Sequence, residues 1–250
     1  MQFLPEALST FDAIFLVGTS FFTSFLTAAA GIGGGVTLLA VMAQVVPIGA
    51  IVPVHGVVQM GSNIGRAGLM RHDIDKKLLL YFFGGSIIGA GVGGQIIVVL
   101  PVAYLQMILA FFILFSTWGP KPVSVFSDHK GLAVGGAFST LLTMFVGATG
   151  PFVAAIIKPF SLGKLGQVAT MSACMVVQHF LKVVVFGLFG FSFGPYLALM
   201  AAMIGIGFIG TIVGRRLLAK FSEATFKILL NGMLTILALR LLWVGTNALF

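Results

Sequence analysis

The chain has 250 residues, 59% of them hydrophobic and 8% charged, with a mean hydropathy of +1.14 and a formal net charge of +8. A soluble domain is excluded by apolar runs this long, and the class they define is an all-α, polytopic membrane protein with room for about eight to ten membrane segments at roughly 20 residues each. The basic excess lies mostly in short loops, where the positive-inside rule puts it, so no nucleic-acid partner is implied.

Glycine, proline and charge punctuate the chain. A first helix is expected over about 9–30; it follows Glu6 and Asp12 rather than a basic leader and so reads as retained. Gly31-Ile32-Gly33-Gly34-Gly35 then interrupts an apolar run, and a short segment over about 36–46 ends before Pro47. A third helix over about 51–70 leads into the most polar loop of the chain, Arg71-His72-Asp73-Ile74-Asp75-Lys76-Lys77. Helices over about 78–99 and 102–117 flank an uncharged turn from Val98 to Pro101, and Trp118 to Lys130, with Gly119-Pro120-Lys121-Pro122, reads as a linker. The pattern then resumes over about 131–147, breaks at Gly147-Ala148-Thr149-Gly150-Pro151, and continues as a short segment to Phe160 and helices over about 163–191, 196–219 and 223–248.

The second half repeats the first. Gly31 and Gly34 recur 116 positions later as Gly147 and Gly150; Val57-Val58-Gln59 and Gly68-Leu69 recur 119 positions later; Gly89 and Gly93 recur 121 positions later as Gly210 and Gly214. Such drift is expected of a duplicated unit with small insertions. One domain, 1–250, is therefore expected, with repeat one over about 9–118 and repeat two over about 131–248. Charge orients the repeats. The loop after the third helix is basic (Arg66, Arg71, Lys76, Lys77), whereas its counterpart Phe191–Pro195 is neutral; one helix later the signs exchange, with Arg215, Arg216 and Lys220 opposite a neutral turn. Basic loops kept in the cytoplasm give inverted repeats with both termini outside, provided each glycine break is a re-entrant or half-helix tip.

Two such breaks aim helix N-termini and glycine amides inward, which suits an anion: Gly33, Gly34 and Gly35 on one side, Thr149, Gly150 and Pro151 on the other. The side chains agree in sign. All six carboxylates (Glu6, Asp12, Asp73, Asp75, Asp128, Glu223) fall in loops or at helix ends, while polar and basic groups enter the membrane interior. His55, Gln59, Asn63 and Arg66 share one helical face; Gln167, Thr170, Cys174, Gln178 and Lys182 form a second stripe, with His179 beside it. Lys182 either faces a cavity or snorkels to the outer interface. His55 and His179 serve either a structural hydrogen bond or the substrate, and Arg66 either the substrate or the cytoplasmic end of its helix. Cys174 is the lone cysteine and makes no disulfide within the chain, and no His-x-x-x-His or Glu-x-x-His pair suggests a metal. No cofactor, metal or catalytic residue is expected, and an intramembrane enzyme is disfavoured.

Gly31–Gly35 followed by a proline-bounded segment, Gln59…Asn63…Arg66-Ala67, Arg71–Asp75, Gly147–Pro151, Val168-Ala169-Thr170 and His179…Lys182…Phe186-Gly187 together resemble the TauE/SafE sulfite exporter family over nearly the whole chain. Two departures stand out: Leu38-Leu39-Ala40 where many members have a proline, and Pro53-Val54-His55-Gly56-Val57 in place of a small Ala-x-Gly-Thr-Ser stretch. The resemblance implies a secondary transporter that exports sulfite or an organosulfonate, by alternating access, across the bacterial inner membrane. An anion channel and an uptake permease for another small oxoanion are the alternatives. The expected partners are a small anionic substrate and the lipid bilayer, with a homodimer left open.

Overall fold

The computed structural model describes residues 8–30, 33–97, 102–119, 128–217 and 223–247. Gly31 and Ile32 of the first break, the turn from Val98 to Pro101, the linker from Pro120 to Ser127, Lys220 and the extreme termini lie outside these residues, as do the side chains of Arg215 and Arg216. The described chain is all-α: α1 (Thr10–Ala30), α2 (Gly34–Val45), α3 (Ile48–Leu69), α4 (Lys76–Ile97), α5 (Val102–Trp118), α6 (His129–Val146), α7 (Gly150–Ile157), α8 (Gly163–Leu188), α9 (Leu197–Leu217) and α10 (Glu223–Asn247). By length and composition, Thr10–Ala28, Lys76–Ile96, Leu165–Leu188 and Gly194–Gly214 are long and apolar enough to cross a membrane. At 12 and 8 residues, α2 and α7 rise only about 18 and 12 Å, well short of a hydrocarbon core of about 30 Å.

The distribution of polarity suits lipid rather than water. Phe11, Ile14, Leu80, Ile88, Phe111, Phe115, Leu188, Ile236 and Trp243 are exposed, whereas His55, Ser86, Ser139, Thr140, Thr143, Gln178, His179 and Lys182 are fully buried. Hydrocarbon rewards apolar surface outside and forces polar groups to find partners inside.

Two compact units emerge. The first comprises residues 1–55, 100–120 and 192–250, the second residues 56–99 and 121–191. In the first, α1 packs on α9 and α2, and α10 on α5 and α2; in the second, α4 packs on α6 and α8, and α7 on α8 and α6. Each unit thus mixes helices from both halves of the sequence. The inner face of α7 (Val153, Ile156, Ile157) joins Leu78 and Phe82 of α4, Leu132 of α6, and Cys174 and Met175 of α8 in one apolar cluster.

The same close crossing occurs once in each unit. A Cβ on Gly89 of α4 would run into the Ala137 carbonyl of α6, and one on Gly93 would sit 3.2 Å from the Leu141 carbonyl. In the first unit, a Cβ on Gly210 of α9 would run into the Phe21 carbonyl of α1, and one on Gly214 would meet Phe25. Gly89 and Gly93 precede Gly210 and Gly214 by 121 positions, and Phe21 and Phe25 precede Ala137 and Leu141 by 116, the offsets already present in the sequence. In both pairs the contact positions advance together along the two helices, so each pair runs parallel.

Candidate functional site

The second break lies among buried polar side chains. Helix α6 ends at Gly147, whose φ of +78° is a backbone state that glycine reaches without strain. Gly147, Ala148 and Thr149 are buried, and α7 starts at Gly150 with Pro151 in its first turn, where the missing N–H has no helical partner to lose. Helix α8 holds this break through two residues one turn apart. Gln178 Nε2 donates to the carbonyl of Ser139 at 2.6 Å and to Ser139 Oγ at 2.8 Å, while Thr149 Oγ1 donates to Gln178 Oε1 at 3.0 Å. Lys182 Nζ donates to the Gly147 carbonyl at 2.9 Å, an acceptor shared with Thr143 Oγ1 at 3.2 Å. A cation here also meets the negative end of the α6 dipole.

Lys182 therefore does not snorkel. Its side chain is fully buried, Gly147 O is its one hydrogen-bond partner among the described residues, and two of its three N–H groups remain for another acceptor. Room for its stem comes from Gly56 of α3, where a Cβ would stand 3.0 Å from Lys182 Cδ. Thr149 occupies the N-cap position of α7 but turns its hydroxyl to Gln178, so α7 begins without a side-chain cap. In its first turn Pro151 has no N–H and Phe152 N–H donates to the Thr149 carbonyl at 3.0 Å, which leaves the Gly150 N–H for an outside acceptor. His179 is fully buried beside Gln178 on α8.

Other candidates sit elsewhere. Thr170, two turns before Gln178 on α8, accepts from the Asp75 backbone N–H at 2.9 Å, while Asp75 Oδ1 accepts from Leu78 N in the first turn of α4. Thr170 thus ties the polar loop to α8, away from the break. On α3, Asn63 Nδ2 donates to the Gln59 carbonyl at 2.8 Å and Arg66 Nη2 donates to Asn63 Oδ1 at 2.9 Å, which places Gln59, Asn63 and Arg66 in one local chain of contacts. In the first unit, Gly33 precedes α2 with φ +104°, Gly34 packs directly against the Thr23 carbonyl and Thr27 Oγ1 of α1, and His55 Nε2 donates to the Gly35 carbonyl at 2.9 Å. Helix α2, like α7, starts with no side-chain cap.

Ser139 and Thr143 were not among the expected site residues, although they anchor Gln178 and share the Gly147 carbonyl. Their spacing of four in an otherwise apolar stretch, with Thr140 between them, is the signal that marks them. Replacing Gln178 by Leu leaves the Thr149 hydroxyl without an acceptor in a buried place. The expected cost is about 1–3 kcal/mol, read as a lower Tm of the purified protein, whereas the same change at half-buried Gln59 leaves Tm near wild type.

Among the described residues, ten helices, four of them long and apolar enough to cross a membrane, with apolar side chains exposed and polar ones buried, are those of a multi-pass membrane protein. A family model described as "Sulfite exporter TauE/SafE" matches residues 16–241. The chain belongs to this family of membrane transporters, which are not enzymes. No match was found among curated proteins or among solved structures.

Proposed function

We propose that the protein is a secondary transporter that exports sulfite or a small organosulfonate by alternating access, with the anion held at the α6–α7 break. The observation that carries this reading is Lys182: a fully buried ammonium whose one hydrogen-bond partner among the described residues is a backbone carbonyl, beside a helix start without a side-chain cap, in a chain whose six carboxylates fall by sequence in loops or at helix ends. A buried cation without a carboxylate is costly, and an oxoanion that accepts its two remaining N–H groups lowers that cost. Thr149 and Gln178, whose donors go to Gln178 Oε1 and to Ser139, hold the break in shape with His179 beside them, and the Gly150 N–H, next to Pro151, joins Lys182 in the cradle. Gly33–Gly35 and His55 are its counterpart in the first unit, and Gln59, Asn63 and Arg66 line the way to the basic loop.

In this reading the chain is one transport domain of two inverted repeats, 9–118 and 131–248, in the bacterial inner membrane with both termini outside. The duplicated crossings of α4 with α6 and α9 with α1 support the duplication, and the loop charges support its inversion.

Purified protein in liposomes tests it. Saturable flux of sulfite or sulfoacetate, with sulfate and thiosulfate as competitors, is the expected result. No saturable movement of any sulfur anion overturns the reading, and a flux that never saturates, or a single-channel current, makes the protein a channel.

A further inference from the structure

The second unit carries a groove on its exposed side that the transport reading does not use. It runs between α4 and α6, encloses about 540 Å³, and is floored by Gly84, Gly85, Ala133 and Ala137 between walls that include Leu80 and Ile88. Lys77 and Tyr81 stand at one end. From Lys77 to Ile88 is eleven residues of helix, a rise of about 16 Å. That is close to half of a hydrocarbon core of about 30 Å, the depth of one leaflet.

Charge tells what would fill it. Because α4 and α6 run parallel, their N-termini lie at the same end of the groove, and the rings of Tyr81 and His129 stand 4.9 Å apart there. Lys77 is exposed at that end, and exposed Lys130 lies one turn before Val134 on the groove face of α6. Three carboxylates lie near this end: Asp73, exposed in the turn before α4, and Asp75 and Asp128, whose Oδ1 atoms accept from Leu78 N and Gly131 N and so face their own helix starts. The parallel crossing in the first unit is a built-in comparison. Counting by the repeat offsets, Lys77, Tyr81, His129 and Lys130 correspond there to Ala198, Ala202, Ala13 and Ile14. The crossing itself therefore needs none of this charge.

We infer that the α4–α6 groove is a binding site for one anionic phospholipid, its acyl chain laid over Gly84 and Gly85 and its phosphate held by Lys77 and Lys130. Basic ends of apolar grooves between membrane helices suit such headgroups. A zwitterionic lipid carries its own cation to this end and loses the advantage.

Native mass spectrometry of the purified protein, equilibrated with equal amounts of phosphatidylglycerol and phosphatidylcholine, reads the retained lipid directly. Phosphatidylglycerol is expected to be retained in preference, and Lys77→Gln and Lys130→Gln each reduce that preference about fivefold. Gly84→Leu fills the groove at a position where an added Cβ meets nothing within 4 Å, so the fold tolerates it while the retained lipid is lost. Gly205→Leu, the matching open position in the first unit, leaves retention unchanged. Equal retention of the two lipids, or undiminished retention in Gly84→Leu, overturns the inference. A dimer that Gly84→Leu dissociates also overturns it and assigns the groove to a second copy of the chain.

Discussion

Lys182→Met is expected to reduce saturable sulfite flux in liposomes at least about thirtyfold while the protein still inserts, purifies and elutes as wild type. Methionine keeps most of the stem volume and removes only the ammonium. Losing one partner of a desolvated, hydrogen-bonded charge pair costs at least about 2 kcal/mol, which is about thirtyfold in binding. The fold survives because the Gly147 carbonyl keeps a second donor, Thr143 Oγ1 at 3.2 Å, and is not orphaned. Gly56→Ala probes the same group without touching its charge. The new Cβ, 3.0 Å from Lys182 Cδ, pushes a flexible stem, so binding weakens and retains the anion selectivity of the wild type. Full flux in Lys182→Met would leave the lysine a clamp on the break and nothing more.

Helix ends were legible in the sequence because glycine, proline and charge mark them chemically. The expected short segments over about 36–46 and from about Phe152 to Phe160 correspond to α2 (Gly34–Val45) and to α7 (Gly150–Ile157) with the 3-10 turn Lys158–Phe160. Both helices start earlier than residues 36 and 152, for one reason: the first turn of a helix needs no intrahelical partner for its N–H groups, so Gly34 and Gly150 join the helix rather than the break. Helix α8 stops at Leu188, three residues short of the expected end. Gly190, with φ +88°, lets the Phe191 N–H return to the Phe186 carbonyl at 2.9 Å and close the helix. Helix α3 begins at Ile48, about three residues before the expected start at 51, with Pro53 inside it.

The polar stripe of α8 was legible from spacing, but what it faces was not. Periodicity puts Gln178 and Lys182 on one side of a helix. Only the end of α6 shows that their partners are Ser139, Thr149 and the Gly147 carbonyl. The pairing of α4 with α6 and of α1 with α9 was hidden for a related reason. Glycines every third or fourth residue announce a close crossing, and any helix with a smooth face can be the other member.

Those crossings give the second large effect. Gly89→Leu and Gly210→Leu are each expected to abolish the folded protein, seen as loss of membrane-inserted, monodisperse material on gel filtration. Gly84→Leu and Gly205→Leu, one turn or so away on the same two helices, are expected to purify normally. The contrast rests on what an added side chain would strike. At Gly89 and Gly210 it is the backbone carbonyl of the neighbouring helix, at Ala137 and at Phe21, which cannot rotate aside as a side chain can; at Gly84 and Gly205 nothing lies within 4 Å. Overpacking a site that can relax costs about 1–3 kcal/mol, and a rigid backbone neighbour takes the cost beyond that range, a large share of a total stability of about 5–15 kcal/mol. The two damaging positions are 121 residues apart and belong to different units, so equal failure of both variants shows that each unit depends on its own copy of the crossing. Failure of Gly89→Leu alone would mean that the first unit tolerates a looser α1–α9 contact, and the duplication would then be a likeness of sequence without a shared structural demand.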